Sequence, residues 1–405
     1  MDKRSGVSGT VPFSVCFSVG AVLFSSHAGG GFASGNQAFQ NFVTSGWLGP
    51  FSAVFCMLIF TLTIKEAMFM YNSRRLTSYK QLFETLYHPF GRIEIFFEVF
   101  FYIMVLMAVG AAVATAAATL NAYFPFGGAS YYWYVVAVGT AVMFCTIFGA
   151  GLVRKASTIM GLGILISAVA IFVAGIFKAP HLAREFAVSY ASDGFSKLPR
   201  AVWIAFNYAG FQCVVIPTMI VCGTPLTSRR ACARSMRISF ALNAVALALS
   251  VIMLTGWAPV FTALPKGATI PTLSSCRAMD IPWLSGTYTV CLLLCLISTG
   301  VTTVFGFTAR FEKMKIFSGI ESAPVRCAFV SGAIIAAAMT VSMAGLTNII
   351  KYGYGYCGYL AIAIVVVPFL TVGAYKNRRF VREHPEYDGR EGSSVETAVT
   401  AATGD

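Results

Sequence analysis

Apolar residues fill this chain in blocks long enough to span a membrane, separated by short polar or charged stretches. A block of about 20 residues in helical form matches the roughly 30 Å hydrocarbon core of a bilayer. A helix-length window places the blocks at 12–45, 49–71, 93–122, 131–152, 156–177, 199–222, 233–256, 283–309, 325–346 and 354–375. The pattern predicts an all-α integral membrane protein with about ten transmembrane helices. The first block is too long for a simple crossing. Its centre, Ala28 to Gly35, reads AGGGFASG, where glycine makes a regular helix costly, so helix, break, helix is expected.

The polar stretches between blocks sort by charge. Of 29 Lys and Arg, 21 fall in alternate segments beginning with Lys3 and Arg4, 7 fall in the others, and Lys65 lies inside a span. This is the positive-inside pattern, and it predicts a cell (inner) membrane protein with both termini cytoplasmic. The basic segments include Arg74, Arg75, Lys80 and Arg92, then Arg154 and Lys155, Arg229 to Arg237, Arg310 to Arg326, and the tail from Lys376. Five spans precede 178–198 and five follow, so the second set enters from the opposite face and any similarity between the sets must be inverted. The expected organisation is a cytoplasmic segment 1–11, a first five-helix repeat 12–177, an external loop 178–198, a second repeat 199–375, and a cytoplasmic tail 376–405 without regular structure. Each repeat opens on an interrupted helix, around Gly29 to Gly35 in one and Asn207 to Gly210 in the other. Such a matched pair is the best sequence pointer to the binding site of a secondary transporter.

Composition removes the alternatives. The chain is 57% hydrophobic and 11% charged, against about 25% charged in soluble domains. A net charge of +13 invites a nucleic-acid reading, but the basic residues lie between apolar blocks instead of on one face, so no nucleic-acid partner is expected. The eleven cysteines sit mostly within apolar blocks and imply no disulfide framework. No metalloprotease, paired CxxC or P-loop spacing occurs, so the chain is not read as an enzyme and no organic cofactor is expected. The two longer outer connections, 178–199 and 257–282, are either lids over a vestibule or plain loops.

The glycine run is the most specific local motif. Gly31 and Gly35 have the spacing of a close helix contact, but three glycines in a row at 29 to 31 favour a break that lines a cavity. Residues 29 to 37, GGGFASGNQ, resemble the GAGFASGQE signature of the YkvI-type membrane proteins of the amino acid, polyamine and organocation superfamily. Gly30, Asn36 and Gln37 depart from that signature, where Ala, Gln and Glu are expected. The resemblance implies a LeuT-like 5+5 inverted repeat with broken first and sixth helices. It also implies a sodium site formed by the carbonyls of Ser25, Ala28 and Cys295 and the side chains of Ser298 and Thr299, with Thr302 and Thr303 as the rival pair. Glu66 stands close to where such proteins place a carboxylate that ties down freed amides of the sixth helix. Taken alone, hydroxyls in a membrane helix bond back to the backbone, and Lys65 beside Glu66, about 100° around the helix, is expected to snorkel away from it.

Candidate contacts for the solute are His27, Gly29, Gly30, Gly31, Phe206, Asn207, Tyr208, Gly210 and Gln212, which combine apolar walls with a few polar anchors. His27 either satisfies backbone freed by the break, contacts the solute, or carries a proton. The expected function is secondary active transport of a small organic solute, an amino acid or related amine or acid, by alternating access. Sodium is the favoured coupling ion and the proton its rival. The alternative is a receptor that binds a small ligand on the same fold without moving it. The expected partners are the solute and the lipid bilayer; the sequence carries no signal for oligomeric state.

Overall fold

A computed structural model describes residues 11–27, 29–148, 163, 166–264, 267–311 and 322–389. Residues 1–10, Ala28, the Arg154–Lys155 turn, Lys313, Lys315 and the tail beyond 389 lie outside the described residues. Regular structure among the described residues is helical throughout. Among the described residues, seven helices are long and apolar enough to cross a membrane: Val43–Ser73, Gly91–Tyr123, Ser130–Ile147, Leu198–Cys222, Arg229–Ala263, Pro282–Val304 and Leu346–Glu383. Two shorter apolar helices, Phe13–His27 and Ala328–Met343, stand at the first and ninth blocks, and Ile166–Phe177, which meets the next helix Leu182–Asp193 at a bend of 77°, stands at the fifth.

The packing repeats with a period of five spans, as an inverted repeat requires. The first span packs on the seventh and the sixth on the second, while the second and seventh meet at the centre of one bundle. In the other group the third packs on the fourth and ninth, the eighth packs on the ninth and fourth, and the third and eighth meet. The broken spans thus lie in one group and the group of the third, fourth, eighth and ninth spans forms a second wall.

Large apolar side chains point outward along these helices, among them Phe51, Leu58, Ile95, Phe96, Phe144, Val245, Val290 and Phe329. In water a surface of that kind would aggregate; in a bilayer it is the solvated face. Trp133 and Tyr132 are exposed at the start of the fourth span, while the Tyr131 hydroxyl donates to Ser342 O (2.7 Å) and that of Tyr134 to Phe124 O (2.8 Å). An aromatic belt with its polar tips anchored is the arrangement expected at a membrane interface.

Three expectations change. The tail is ordered as far as 389: Ala374–Glu383 continues the tenth span as helix, and Lys376 Nζ donates to the carbonyls of Thr85, Leu86 and His88 at 2.9–3.0 Å. Those carbonyls end the short helix Tyr79–Tyr87, where a cation is favoured by the helix dipole. The connection 178–198 is largely a helix, Leu182–Asp193, roofing the second span's start: Ser189 Oγ accepts from Trp47 N–H (2.8 Å) and Gly194 O from Trp47 Nε1 (2.7 Å). In the second outer connection the seventh helix runs on to Ala263, and a further helix, Pro271–Ala278, packs against the first, seventh and eighth spans.

Candidate functional site

The first span breaks twice. Its opening helix ends at His27, a single turn follows at Gly30–Ala33, and after Gly35 the chain resumes as Asn36–Asn41. Gly29 N–H donates to His27 O (2.8 Å) and Gly35 N–H to Phe32 O (2.9 Å), so local bonds cover part of the freed backbone. Gly35 has φ 80°, and a Cβ there would stand 2.2 Å from Thr272 Oγ1, so both conformation and space require glycine. Gly31 lies beneath the Gln37 side chain, whose Nε2 would be 2.4 Å from a Cβ at that position.

The sixth span is interrupted later than its sequence suggests. It is regular α-helix from Leu198 to Gln212, tightens to a 3₁₀ turn at Cys213–Val215, and resumes as Ile216–Cys222. Pro217 has no N–H for the carbonyl of Cys213, which accounts for the position. Because Asn207 to Gly210 remains helical, only one face of that run points toward the first span. Tyr208 and Gln212, four residues apart, are on it. Asn207 Nδ2 instead donates to Gly355 O (2.9 Å), and Gly210 would bring a Cβ within 2.7 Å of Gly358 O, so both face the tenth span. Phe206 faces Phe55 of the second span, with ring centroids 6.0 Å apart.

At the first break a hydrogen-bonded chain links the first, sixth and seventh spans. His27 Nδ1 is 2.8 Å from Asn243 Oδ1 and Nε2 is 2.9 Å from the Tyr208 hydroxyl. That hydroxyl is 3.0 Å from Gln37 Oε1, which also accepts from Gln212 Nε2 at 3.4 Å. Asn243 Nδ2 donates to Ser239 O (2.8 Å) and Oγ (3.1 Å), which turns Oδ1 to the imidazole, so Nδ1 carries a proton. The phenol then has one proton for two acceptors if the ring is neutral. A protonated ring completes the chain in a single direction, through Tyr208 to Gln37. All five side chains are buried, and His27 is packed between Phe32, Phe60 and Tyr208.

His27 therefore does not serve the broken backbone through its ring, as one expectation had it; both nitrogens engage side chains. For the same reason the ring presents no free polar atom to a solute in this conformation. Gln37 and Asn243 were not picked as site residues. Gln37 was signalled by its departure from the signature, and Asn243 as an amide inside an apolar span, which demands a partner.

Of the residues assigned to sodium by resemblance, Thr299 lies beside the break: its Cγ2 is 4.0 Å from where a Gly29 Cβ would be. Ser298 and Cys295 are buried on the same helix. In the rival pair, Thr302 Oγ1 donates back to Ser298 O (2.8 Å), which leaves its lone pairs open. Ser25 Oγ donates to Val22 O (3.0 Å), leaving its carbonyl as the assigned group, and Ala28 lies outside the described residues.

Glu66 has different partners from those expected. Its Oε1 is 2.8 Å from Lys65 Nζ and its Oε2 accepts from Asn377 Nδ2 at 2.8 Å. The long Lys65 stem curls back around the helix to its neighbour instead of snorkelling away. Asn377 Oδ1 accepts from Arg74 Nη1 (2.8 Å), so second span and tail helix are clamped together. No residue of the sixth span takes part in these bonds.

No family model and no curated protein matches the chain. Among solved structures, the chain is similar to the manganese transporter of Eremococcus coleocola in complex with an aromatic bis-isothiourea substituted compound. The TM-score is 0.52 at 13% identity, over 99% of this chain and 94% of that one. A Na+-coupled sialic acid symporter in a substrate-bound outward-open state aligns at TM-score 0.49 and 12% identity, over 92% of this chain and 98% of that one. The first likeness shows the fold alone: an all-α, LeuT-type membrane fold.

Proposed function

We propose that this chain is a secondary transporter that moves a small organic solute by alternating access, coupled to an ion gradient. The observation that carries the reading is the buried chain Asn243–His27–Tyr208–Gln37–Gln212, which joins three spans where the first helix is broken. Buried polar side chains in a membrane mark solute or ion routes by default. A network crossing two interrupted helices is one that rocking of one helix group against another would make and break.

The solute class, an amino acid or a related amine or acid, rests on the resemblance of residues 29 to 37 to the YkvI-type proteins. Amide, phenol and imidazole groups near unwound backbone suit the ammonium and carboxylate of such a solute. Among the described residues no three His, Cys, Asp or Glu side chains come together, which gives manganese little to bind, since that ion favours carboxylate and other oxygen ligands. Sodium remains the favoured coupling ion through Thr299, Ser298 and the first break. The proton is its rival through His27.

The test is thermal unfolding of the purified protein against a panel of amino acids, amines and organic acids, with sodium and with choline. A ligand that binds the folded state raises the unfolding midpoint. At least one class is expected to do so, more strongly in sodium, and Tyr208→Phe is expected to remove the effect. Stabilisation by no member of the panel, or by ligands indifferent to Tyr208→Phe, would refute the solute site.

A further inference from the structure

Asn36, one of the departures from the family signature, is fully buried. Its Nδ2 faces Ala268 O at 3.1 Å, Thr269 O at 2.9 Å and Thr347 Oγ1 at 3.1 Å. Two of these are carbonyls, which only accept, so the amide cannot be turned over. Its Oδ1 consequently points the other way, where none of the described residues donates to it. Thr272 is also fully buried and abuts the left-handed turn at Gly35, the residue before Asn36; its hydroxyl lies beside the Tyr288 phenol oxygen, to which it can donate, and among the described residues nothing donates to its lone pairs. Ser275, one turn further along the helix Pro271–Ala278, adds a third oxygen, a buried hydroxyl without a partner among the described residues.

Nearby donors are already engaged. Thr272 N–H bonds Ser34 O at 3.1 Å, and the Tyr288 hydroxyl donates to Ala33 O. What remains is a set of oxygens with free lone pairs and no carboxylate among Asn36, Thr272 and Ser275. A calcium-like ion is held by carboxylates; neutral side-chain and backbone oxygens beside an unwound helix suit a monovalent cation.

We propose that Asn36 Oδ1 and Thr272 Oγ1, with Ser275 Oγ, bind a sodium ion between the Gly35 turn of the first span and the helix Pro271–Ala278. The site is separate from the first break, where Thr299 stands. Its occupancy ties the short helix to the first span and so favours closure of that face. The binding itself does not depend on the transporter reading; only its consequence for coupling does.

The test uses the full chain carrying Ser298→Ala and Thr299→Ala, so that the break does not report. Binding of radioactive sodium and unfolding midpoints in sodium, potassium and choline are measured in this background and after adding Asn36→Ala or Thr272→Val. Saturable sodium binding is expected, with a sodium-specific rise in the midpoint, and either addition should raise the half-saturating concentration about tenfold or more, with the stabilisation falling in step. Thr272→Ser should restore it. Thr272→Val keeps the side-chain shape and carries the test if Asn36→Ala fails to fold. Unchanged sodium affinity in Thr272→Val would overturn the proposal. So would a background protein that binds no sodium and is equally stable in all three salts, a result that assigns these oxygens to water. Absence of solute uptake would leave the binding result standing.

Discussion

Tyr208 sits at the junction of the polar chain, and its hydroxyl bonds both His27 and Gln37. Tyr208→Phe leaves buried His27 Nε2 without a partner, which costs about 1–3 kcal/mol before any effect on binding, and leaves Gln37 Oε1 only the 3.4 Å contact from Gln212. Its unfolding midpoint should therefore fall, whereas Gln212→Ala, losing only a 3.4 Å contact, should fall less. Gly210→Ala should destabilise by about 1–3 kcal/mol through overpacking, because the new methyl meets Gly358 O. If Gly210→Ala left stability untouched and abolished ligand binding instead, the solute would have to reach that face of the helix. His27 and the glycine run were legible as odd residues in an apolar block. Their partners were not, because Asn243 and Tyr208 lie 216 and 181 residues away and local periodicity holds no information about which helix faces meet.

At the scale of elements, Pro217 moves the break in the sixth span from the Asn207 to Gly210 run to Cys213–Val215. That proline is visible in the sequence and would have located the interruption, had polar content not been weighed above the missing N–H. Pro217→Ala is expected to restore the helical bond to Cys213 O. The variant should unfold at a higher temperature and transport more slowly; unchanged transport would show that the interruption is not used. The clamp between second span and tail helix gives a further expectation. Asn377→Ala removes the amide from both Glu66 and Arg74, and hydrogen bonds to charged groups contribute about 1.5–3 kcal/mol each. Its unfolding midpoint should drop markedly, while Arg379→Ala, which breaks an exposed pair with Glu383 and an exposed contact with Tyr375, should change little. The tail was read as lacking structure because it is polar. Its order comes from Lys376 and Asn377 reaching residues about 300 positions earlier in the chain, which a local window does not see.

For the whole molecule, the all-helical membrane fold and the five-span period of packing follow from block length and order, which is why they were legible from apolar pattern alone; seven of the ten expected blocks, among the described residues, are helices long and apolar enough to cross. Orientation follows from charge: a cysteine placed at Ser196 in a cysteine-free background should react with an impermeant reagent from outside the cell. Reaction only from the cytoplasmic side would reverse the topology. The central claim is that this fold carries a solute and does not merely hold one. Uptake into proteoliposomes of a ligand found by thermal stabilisation tests it most directly, with a sodium or proton gradient imposed and then collapsed by an ionophore. Accumulation above the external concentration that disappears with the gradient is the predicted result; saturable binding with no accumulation under either gradient would contradict it.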